Sequence, residues 1–388
     1  MTKISSLRWK FSGDRIHQKF VAERLLALKN ALRQEIQGRT DERSLRLATW
    51  NIMHFGNSGG YERTAESMLY IAEIIDHFDL VAVQEVNRNL KALKTLMRDH
   101  LGAEWDYIVT DTSGSNKGKD AGNNERLAFL YRKSKVEFER EAGEIVLPTG
   151  QEIAAPGADG VSKKVQFART PFAVSFRSGW LKFRLCTVHI FYGDSKANSA
   201  KMEQRRSEIE KIAKFLAERQ EIEAESAIKQ AQKDGWIEPR DAARSSNYIL
   251  LGDFNIVSPE HKTMNALTDA GFQIPTALHK TNLGNSHHYD QIAFKAGDPR
   301  FKFVSSGVFD MLKHVYRNVD ADHYVDHVKP KSFEKNSKGK KRNRDQKIEY
   351  FKRFFRRHQM SDHKLLWSEI RSDFSDEYIG EIIGGSTS

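Results

Sequence analysis

The sequence predicts an α/β fold in which sheets pack on each other and helices cover them. Three observations predict it: eight short β-rich runs end in polar residues, two long helical stretches carry apolar stripes, and 39% of the 388 residues are hydrophobic. A chain of this length and composition can bury one large core or two ordinary ones, which excludes wholesale disorder. Many short strands with few strong helices between them are typical of packed sheets.

Residues 1–40 are predicted to form an N-terminal helical extension. Val21, Leu25, Leu28 and Leu32 recur at spacings of four, three and four between charged residues, which places them on one face of a helix. This face either packs on the main domain or pairs with a second copy of the chain, and the sequence leaves both interpretations open.

The main domain is predicted over residues 41–375, with insertions at about 203–240 and 310–358, and residues 376–388 are predicted as a C-terminal tail. Its strands are expected where β-branched and aromatic residues cluster. In chain order they are Leu45–Ile52, Leu80–Val86, Leu127–Tyr131, Phe172–Phe176, Phe183–Ile190, Tyr248–Leu251, Ile292–Phe294 and Leu365–Ile370.

The two insertions differ in composition. The first holds a charged surface helix, Glu203 to about Lys233, with one apolar stripe. The second holds a basic run, Lys329–Arg357, with thirteen Lys or Arg against three acidic residues, so its net charge equals the +10 of the whole chain. Its Lys335–Asp345 part has no apolar periodicity and is predicted as a mobile loop, followed by an aromatic helical segment from Ile348 to Phe355.

Composition also excludes several classes of protein. No uninterrupted apolar run reaches the roughly 18 residues that a membrane span requires, and the first ten residues lack the apolar region of a secretory signal. The lone Cys186 cannot form an internal disulfide, which fits a reducing compartment and predicts a cytoplasmic location. The net charge of +10 favours a polyanionic partner.

Polar side chains cluster where the predicted strands begin or end, a position from which a packed scaffold can direct them at one cleft. Oxygen ligands without cysteine suit a hard cation, Mg²⁺ or Mn²⁺, better than structural zinc. These strand-end residues are Asn51, Gln84, Glu85, Glu125, Arg126, Arg169, His189, Asp253, Asn255, Asp290, Asp362 and His363.

Each of these residues has an ordinary structural explanation when it is taken alone. Asp253 could be a turn residue, His189 a hydrogen-bonded core histidine, and Arg169 a support for its loop. Their order and spacing together favour a site.

That order resembles the endonuclease/exonuclease/phosphatase superfamily, and within it the deoxyribonuclease I-like subgroup. The resemblance extends from about Leu45 to Ile370. The Glu-Arg and Tyr-Asp pairs discriminate the nuclease subgroup, because the Gly-Asp-Phe-Asn and Ser-Asp-His elements also occur in the phosphatases and sphingomyelinases of the superfamily. The matching motifs are Thr49–Ile52, Gln84–Val86, Glu125–Leu130, Arg169–Pro171, Gly252–Asn255, Tyr289–Ile292 and Ser361–His363.

The resemblance implies a four-layer α/β sandwich, two central mixed β-sheets flanked by helices, with a metal site where strand ends meet. It also implies a role for each matching residue. Glu85 and Asn51 would hold the metal, with Asp362 on the other side. Asp253 and Asn255 would orient water and phosphate, His189 would pair with Glu125, and His363 with Asp290. Arg169 would contact phosphate.

Physical chemistry supports such roles. Attack on a phosphodiester adds charge to its non-bridging oxygens, which a cation and fixed donors stabilise. Two histidines on opposite sides of the phosphate could divide the proton transfers, and a neighbouring carboxylate fixes each ring's tautomer and raises its pKa. In the deoxyribonuclease-like scheme His363 is the base and His189 the acid, but the sequence does not assign them.

Two positions depart from the deoxyribonuclease pattern. Asn87 replaces an arginine two residues after the metal glutamate, although Arg88 follows at once, and Asn123 replaces a groove-contacting tyrosine two residues before Glu125. Both positions, like Arg126, are expected to contact substrate. The departures therefore concern the grip on DNA and leave hydrolysis as the prediction.

The basic run offers a second candidate contact with substrate. Lys340, Lys341 and Arg342 are predicted to contact the phosphate backbone of DNA or RNA, and the aromatic residues after them could stack on unpaired bases. In the alternative, the aromatics are core residues and the lysines form a solubilising loop. His323 and His327 have a His-x-x-x-His spacing that suits either a metal ligand pair or a solvated charged turn.

The sequence thus predicts a Mg²⁺- or Mn²⁺-dependent endonuclease acting on nucleic acid, most specifically DNA. A phosphatase or phosphodiesterase for a small phosphorylated molecule or RNA is the enzyme alternative, and a catalytically silent nucleic-acid-binding module is the other. A regulatory protein partner would account for restraint of an intracellular DNase, and the N-terminal helix offers a contact for a second copy of the chain. No contact with a membrane is expected.

Overall fold

The computed structural model describes residues 2–56, 62–112, 125–157, 161–196, 198–235 and 246–384. Thirteen strands in these ranges form three sheets. They are β1 Ser44–Phe55, β2 Leu80–Asn87, β3 Trp105–Val109, β4 Glu125–Arg132, β5 Glu137–Glu144, β6 Ile153–Pro156, β7 Ser162–Val165, β8 Phe172–Ser178, β9 Leu181–His189, β10 Tyr248–Asp253, β11 Asp290–Lys295, β12 Phe303–Phe309 and β13 Leu365–Arg371.

The first sheet has six strands in the order β12-β13-β1-β2-β4-β3, and the second has five in the order β11-β10-β9-β8-β5. Each is mixed, with one parallel pair: β1 with β2, and β9 with β10. A parallel pair needs a crossover connection, and helices Ala65–Ile75 and Ala200–Asp234 supply the two. Strands β6 and β7 form a separate hairpin.

The two large sheets face each other across an apolar core. Leu45, Leu47 and Phe129 of the first sheet pack in one cluster with Phe176 and Leu251 of the second. Strand alternation sends Trp50 to the opposite face, under the helices that cover the first sheet. Helices Ala200–Asp234 and Lys262–Thr268 cover the second sheet. The four-layer sandwich with extra helices is therefore confirmed.

The N-terminal helix Arg15–Glu35 lies in the outer layer of the first sheet. Asp14 caps it by accepting a hydrogen bond from the backbone N–H of His17. Its predicted apolar face is buried against the core of the chain, which is the packed interpretation of that face. The short helix Leu7–Lys10 precedes it.

The second insertion is more ordered than the sequence predicts. The stretch predicted as a mobile loop is a hydrogen-bonded turn, in which the side chain of Asn336 accepts from the backbone of Lys338 and Lys340. Asn343 then caps the following helix. Apolar periodicity could not predict these hydrogen bonds, because polar capping takes its place here. The insertion's helices are Ala321–His327, Lys331–Glu334, Arg344–Tyr350 and Arg356–Gln359, with a π-helical turn Phe351–Phe355.

The remaining helical elements are short, and they include four 3-10 turns, Ile4–Ser6, Gln37–Arg39, Met311–Lys313 and Asn318–Asp320. Helix Lys91–Thr95 continues into a π-helical turn, Leu96–Leu101, beneath the first sheet. Helix Ser375–Ile383 occupies most of the segment predicted as a tail. In the described ranges, no helix combines the length and apolarity needed to cross a membrane. Cys186 is buried and carries a free thiol.

Candidate active site

The cleft is the polar continuation of the apolar face between the two sheets. Every second residue of a strand points to the same face, so the series Leu45, Leu47 leads on to Asn51, where the regular pairing of β1 with β2 ends. The same alternation carries Asp253 into the space between the sheets from β10, beyond Leu251. Glu125, His189 and Asp290 arise in the same way at the ends of β4, β9 and β11.

A polar floor separates the core from this cleft. The side-chain amide of Gln84 donates to the hydroxyls of Thr49, at 3.1 Å, and Thr187, at 2.9 Å. These three buried residues lie on β2, β1 and β9, so their hydrogen bonds tie the two sheets together directly beneath the site. The sheets therefore hold the strand ends at a fixed separation.

Glu85 reaches the cleft through an irregularity of β2. Its backbone adopts φ of 59°, and the pairing of β2 with β4 shifts register between Val83 and Val86. Bulges of this kind redirect a side chain. Here Glu85 Oε1 accepts a hydrogen bond from Asn51 Nδ2 at 3.0 Å, and Oε2 accepts one from the backbone N–H of His54 at 2.9 Å.

Asn51 and Glu85 fit a divalent cation. The Asn51 side chain is buried, and its Oδ1 has no hydrogen-bond partner among the described residues, while its Nδ2 is used by Glu85 and Asp253. A buried acceptor left open beside a carboxylate is the arrangement that a hard cation satisfies. Asp362 is half-buried and, like Glu85, lies within electrostatic range of the Arg63 guanidinium.

Asp253, Asp290 and His363 form a second group of ligand-type atoms, all within 4.8 Å of one another, the only such trio in the described ranges. His363 and Asp290 already bond to each other in it, with Nδ1 and Oδ2 2.8 Å apart. The open oxygen of Asn51 therefore makes the Glu85 side the better cation site.

Asp253 is the hub of the cleft. Its Oδ2 lies 3.0 Å from Asn51 Nδ2, 3.5 Å from His189 Nε2 and 3.6 Å from His363 Nε2. Its Oδ1 accepts from the backbone N–H of Asn255 at 2.9 Å, and the Asn255 side chain donates to Ile190 O. Gly252 allows this geometry, because a Cβ there would lie 2.1 Å from Val188 O.

His189 belongs to a three-residue chain of charges. Its Nδ1 lies 2.9 Å from Glu125 Oε2, and Arg169 holds both oxygens of Glu125 at 3.0 and 3.2 Å. Burial and Arg169 lower the pKa of His189, but Glu125 and Asp253 outweigh them and raise it. Although burial acts in the other direction, His189 and Arg169 lower the pKa of Glu125 far below its usual range.

His363 lies in a more acidic setting. Burial lowers the pKa of its ring, but Asp290, Asp253 and Asp362 outweigh burial and raise that pKa well above the usual value. Burial raises the pKa of Asp290, against the effect of His363. Each ring thus has Nδ1 on its own carboxylate and Nε2 towards Asp253, which leaves Nε2 as the atom that can exchange protons with a substrate.

The predicted substrate-binding residues lie in different places. Arg169 is bound to Glu125 instead of standing alone in the cleft. Arg126 donates to Thr110 O at 2.6 Å and pairs with Asp111 at 2.9 Å, beside β3. Asn87 follows Glu85 on β2 and pairs in register with Glu125. Asn123 lies outside the described residues.

Lys340, Lys341 and Arg342 lie in the turn of the second insertion. Lys340 and Lys341 are exposed, and the Arg342 guanidinium lies 4.4 Å from the ring centroid of Tyr350. Among the described residues, none of the three bonds to a residue of the cleft. Phe351 and Phe355 are buried in the core, so the base-stacking prediction is wrong for both. Their helical spacing is that of a core stripe.

His323 and His327 attach the second insertion to the N-terminal helix. His323 Nε2 lies 3.1 Å from Nδ1 of His17, and His327 Nδ1 lies 2.6 Å from Asp14 Oδ2. The two histidines therefore do not form a solvated turn. They also do not belong to the group of ligand-type atoms from Asp253, Asp290 and His363, which is the only such group in the described ranges.

Three cleft residues escaped the sequence analysis. Arg63 donates to Met53 O at 2.6 Å, and burial lowers its pKa to about 10. His54 Nδ1 lies 3.6 Å from Glu85 Oε2. Burial, Arg63 and His54 lower the pKa of His358 to about 4. Arg63 and His358 are not at strand ends, so a rule based on strand ends could not find them.

Comparison with known proteins gives two sequence matches. The family model described as endonuclease/exonuclease/phosphatase family matches residues 48–310. A protein of Thioalkalivibrio sp. (strain K90mix) named deoxyribonuclease is 30% identical over 221 residues, which are 56% of this chain and 47% of that protein. The chain thus spans about half the length of the curated relative that it matches.

Solved structures give more distant likenesses. An endonuclease/exonuclease/phosphatase family protein from Bacteroides thetaiotaomicron matches with a TM-score of 0.45 and 20% identity, over 85% of this chain and 98% of that one. The human Nocturnin catalytic domain matches with a TM-score of 0.46 and 13% identity, over 85% of this chain and 95% of that domain.

Proposed function

Because the chain belongs to the endonuclease/exonuclease/phosphatase family, we propose that it is a metal-dependent nuclease that hydrolyses phosphodiester bonds of DNA. The observation that carries this proposal is the position of Asp253 between two imidazoles, each backed by its own carboxylate. The relative named deoxyribonuclease and the basic second insertion support DNA as the substrate.

Glu85 and Asn51 would hold the cation, with Asp362 on its other side. When bound, a divalent cation neutralises charge that develops on the non-bridging phosphate oxygens. The partly buried Arg63 lies within electrostatic range of Glu85 and Asp362, so its positive charge partly offsets theirs in the absence of a cation. Mg²⁺ and Mn²⁺ both suit this set of oxygen ligands.

The two histidines would transfer the protons. One Nε2 takes a proton from the attacking water, and the other gives a proton to the leaving oxygen. Asp290 fixes the tautomer of His363 by bonding to its Nδ1, and Glu125 lies 2.9 Å from Nδ1 of His189. Asp253 lies between the two rings, where it would orient the water. Asn255 supports this geometry through its backbone N–H bond to Asp253. Arg169 keeps Glu125 ionised.

Cleavage assays test this proposal. Purified protein is incubated with supercoiled plasmid, linear duplex, single-stranded DNA and RNA, each with Mg²⁺, Mn²⁺ or EDTA. We expect metal-dependent cleavage of DNA, and a loss of about 10²- to 10⁴-fold in His189→Asn, which removes one proton-transfer group. His279→Asn is the matched control, because the His279 ring bonds to Ser306 on β12 and not to any of the proposed catalytic residues.

Cleavage that survives both EDTA and His189→Asn would refute this mechanism. Cleavage of RNA alone, or hydrolysis of small phosphate esters without any cleavage of DNA, would refute DNA as the substrate.

A further inference from the structure

A concave basic pocket lies in the second insertion. It encloses about 370 Å³, and four cationic side chains from two segments line it: Lys313, Lys352, Arg356 and Arg357. Asp310 and Asn318 complete its polar wall. Four cations that converge on a cavity repel one another unless an anion joins them, so the pocket is built for negative charge.

Four other cations of the insertion, Arg317, Arg344, Lys347 and Arg353, are paired with acids. Arg344 bonds to Asp322 and Asp326, and Lys347 bonds to Glu334. Lys313, Lys352 and Arg357 have no ion pair among the described residues, and neither do the exposed Lys340 and Lys341, but only the first three line a cavity. The acid of the pocket, Asp310, faces the ammonium of Lys364 at 3.5 Å, and Lys364 is not part of the cavity wall. The pocket therefore keeps a net positive charge.

Arg356 is held in place within the pocket. Its guanidinium donates to the side chain of Asn318 and, at 3.4 Å, to Leu312 O. Its Nε is buried and has no hydrogen-bond partner in the described structure. A guanidinium that is held in one orientation is suited to a phosphate oxygen, which accepts charge-assisted hydrogen bonds from arginine.

The pocket adjoins the His363 side of the cleft. Its wall includes Leu283 and Gly284, and the residue before them, Asn282, forms a β-bridge with His363. On the other side, Lys364 follows His363 in the chain and contacts Asp310. The pocket and the proton-transfer residue His363 are thus connected through two short segments of backbone.

We propose that this pocket binds a backbone phosphate of the nucleic-acid strand, on the His363 side of the scissile phosphate. The proposal rests on the proposed function and adds a second, non-reacting phosphate contact to it. Within the basic run, the phosphate contact is thus assigned to Lys352–Arg357 instead of Lys340–Arg342. A small phosphate ester has one phosphate and leaves such a pocket unused, so the pocket favours polymers.

The double variant Lys352→Gln/Arg357→Gln tests the proposal. Both side chains are exposed, so the fold should persist, and the cleft is untouched. We expect the KM for a duplex oligonucleotide to rise ~10-fold or more, the effect of losing charged hydrogen bonds to one phosphate, with kcat within about twofold of wild type. The binding constant K is measured against salt concentration by fluorescence anisotropy in EDTA. The negative slope of log K against log salt should become shallower by about 0.9.

Two controls make the result specific. Lys229→Gln/Lys233→Gln removes the same charge from exposed positions on the helix Ala200–Asp234 and should leave KM and the salt slope unchanged. Hydrolysis of bis(p-nitrophenyl) phosphate, a diester without a second phosphate, should be equal in the pocket variant and the wild type.

The outcomes separate this proposal from the proposed function. If the pocket variant binds oligonucleotide more weakly and the control variant does not, the pocket proposal is supported, even if the protein cleaves no DNA. The absence of cleavage would refute the proposed nuclease activity. Equal effects in the pocket and control variants would overturn the pocket, as would an unchanged salt slope. Inorganic phosphate is also tested as an inhibitor. If it inhibits the wild type but not the pocket variant, and the oligonucleotide KM is the same in both, the pocket binds free phosphate and the backbone proposal is wrong.

Discussion

Histidines in two regions of this protein have opposite charge preferences. In the cleft, the pKa of His189 and of His363 is raised, because carboxylates outweigh burial. At the junction of the N-terminal helix with the second insertion, burial and the neighbouring His323 lower the pKa of His17 to about 4, despite Asp14. Burial also lowers the pKa of His323.

The difference teaches that partners, and not burial alone, decide what a buried histidine can do. His189, His363 and His17 are each less than 10% exposed. In the cleft, each ring contacts one carboxylate through Nδ1 and faces a second, Asp253, through Nε2, so it can carry a proton for chemistry. His17 also lies near a carboxylate, with Nε2 3.6 Å from Glu66 Oε2, but burial raises the pKa of Glu66 to about 7. The His17 ring stacks on Phe20 and His323 and is a neutral packing residue.

Removing the shared carboxylate should have the largest effect. Asp253→Asn removes the charge that Asn51 and both cleft histidines face, so we expect kcat for DNA cleavage to fall by about 10³-fold or more. Single-turnover rates measure this loss. Asp269→Asn, an exposed aspartate after helix Lys262–Thr268, is the control. A loss below tenfold would show that Asp253 is not the hub.

Changes on the Glu85 side should act through the metal. Glu85→Gln keeps the shape of the side chain and removes its charge, so the Mg²⁺ concentration for half-maximal cleavage should rise at least about tenfold, since even the loss of an outer partner of a metal site costs that much. Mg²⁺-dependent thermal stabilisation should weaken in parallel. Glu62→Gln, an exposed glutamate near the cleft, should leave the Mg²⁺ requirement unchanged.

Arg169→Gln should move one limb of the pH-rate profile to higher pH. Arg169 lowers the pKa of His189, so without this cation the ring keeps its proton to higher pH. If His189 is the acid, the alkaline limb moves upward, and if it is the base, the acidic limb moves upward. The profile of kcat/KM therefore assigns the roles of the two rings. A downward shift of either limb would contradict the charge arrangement.

The junction histidine should affect stability instead of catalysis. Because the pKa of His17 is about 4 in the folded protein and ordinary when unfolded, its contribution to stability is full above about pH 6.5 and is lost as the pH falls towards 4. As the pH falls over this range, the free energy of unfolding of the wild type should decrease by up to about 3 kcal/mol more than that of His17→Gln. Urea melts measure it, with Lys19→Gln as control. Identical pH dependence in both proteins would refute a neutral His17.

The sequence predicted the cleft better than the insertion, for a physical reason. All eight predicted strands are present, because alternation and β-branched clusters report burial directly. The side chains Asn51, His189 and Asp253 meet because strand ends meet. Strands β3, β5, β6, β7 and β12 were missed. The pattern of β5 gives no such signal, since most of its residues are exposed.

Tertiary partners account for the rest. Arg63 enters the cleft from the segment before helix Ala65–Ile75, and the pairing of Arg169 with Glu125 joins residues 44 positions apart. The turn at Lys335–Asp345 depends on side-chain caps instead of apolar spacing. Which lysines and arginines of a basic run stay unpaired depends on acids elsewhere in the fold, so composition alone could not locate the pocket.

Titration of the histidine rings by NMR tests the central contrast most directly. His189→Asn, His363→Asn and His17→Gln identify the three signals. The structure predicts that His363 titrates well above pH 6.5, that His189 also titrates above it, and that His17 titrates near pH 4. A His363 ring that loses its proton at or below pH 6.5 would contradict the account, because the carboxylates around it would then not govern its charge.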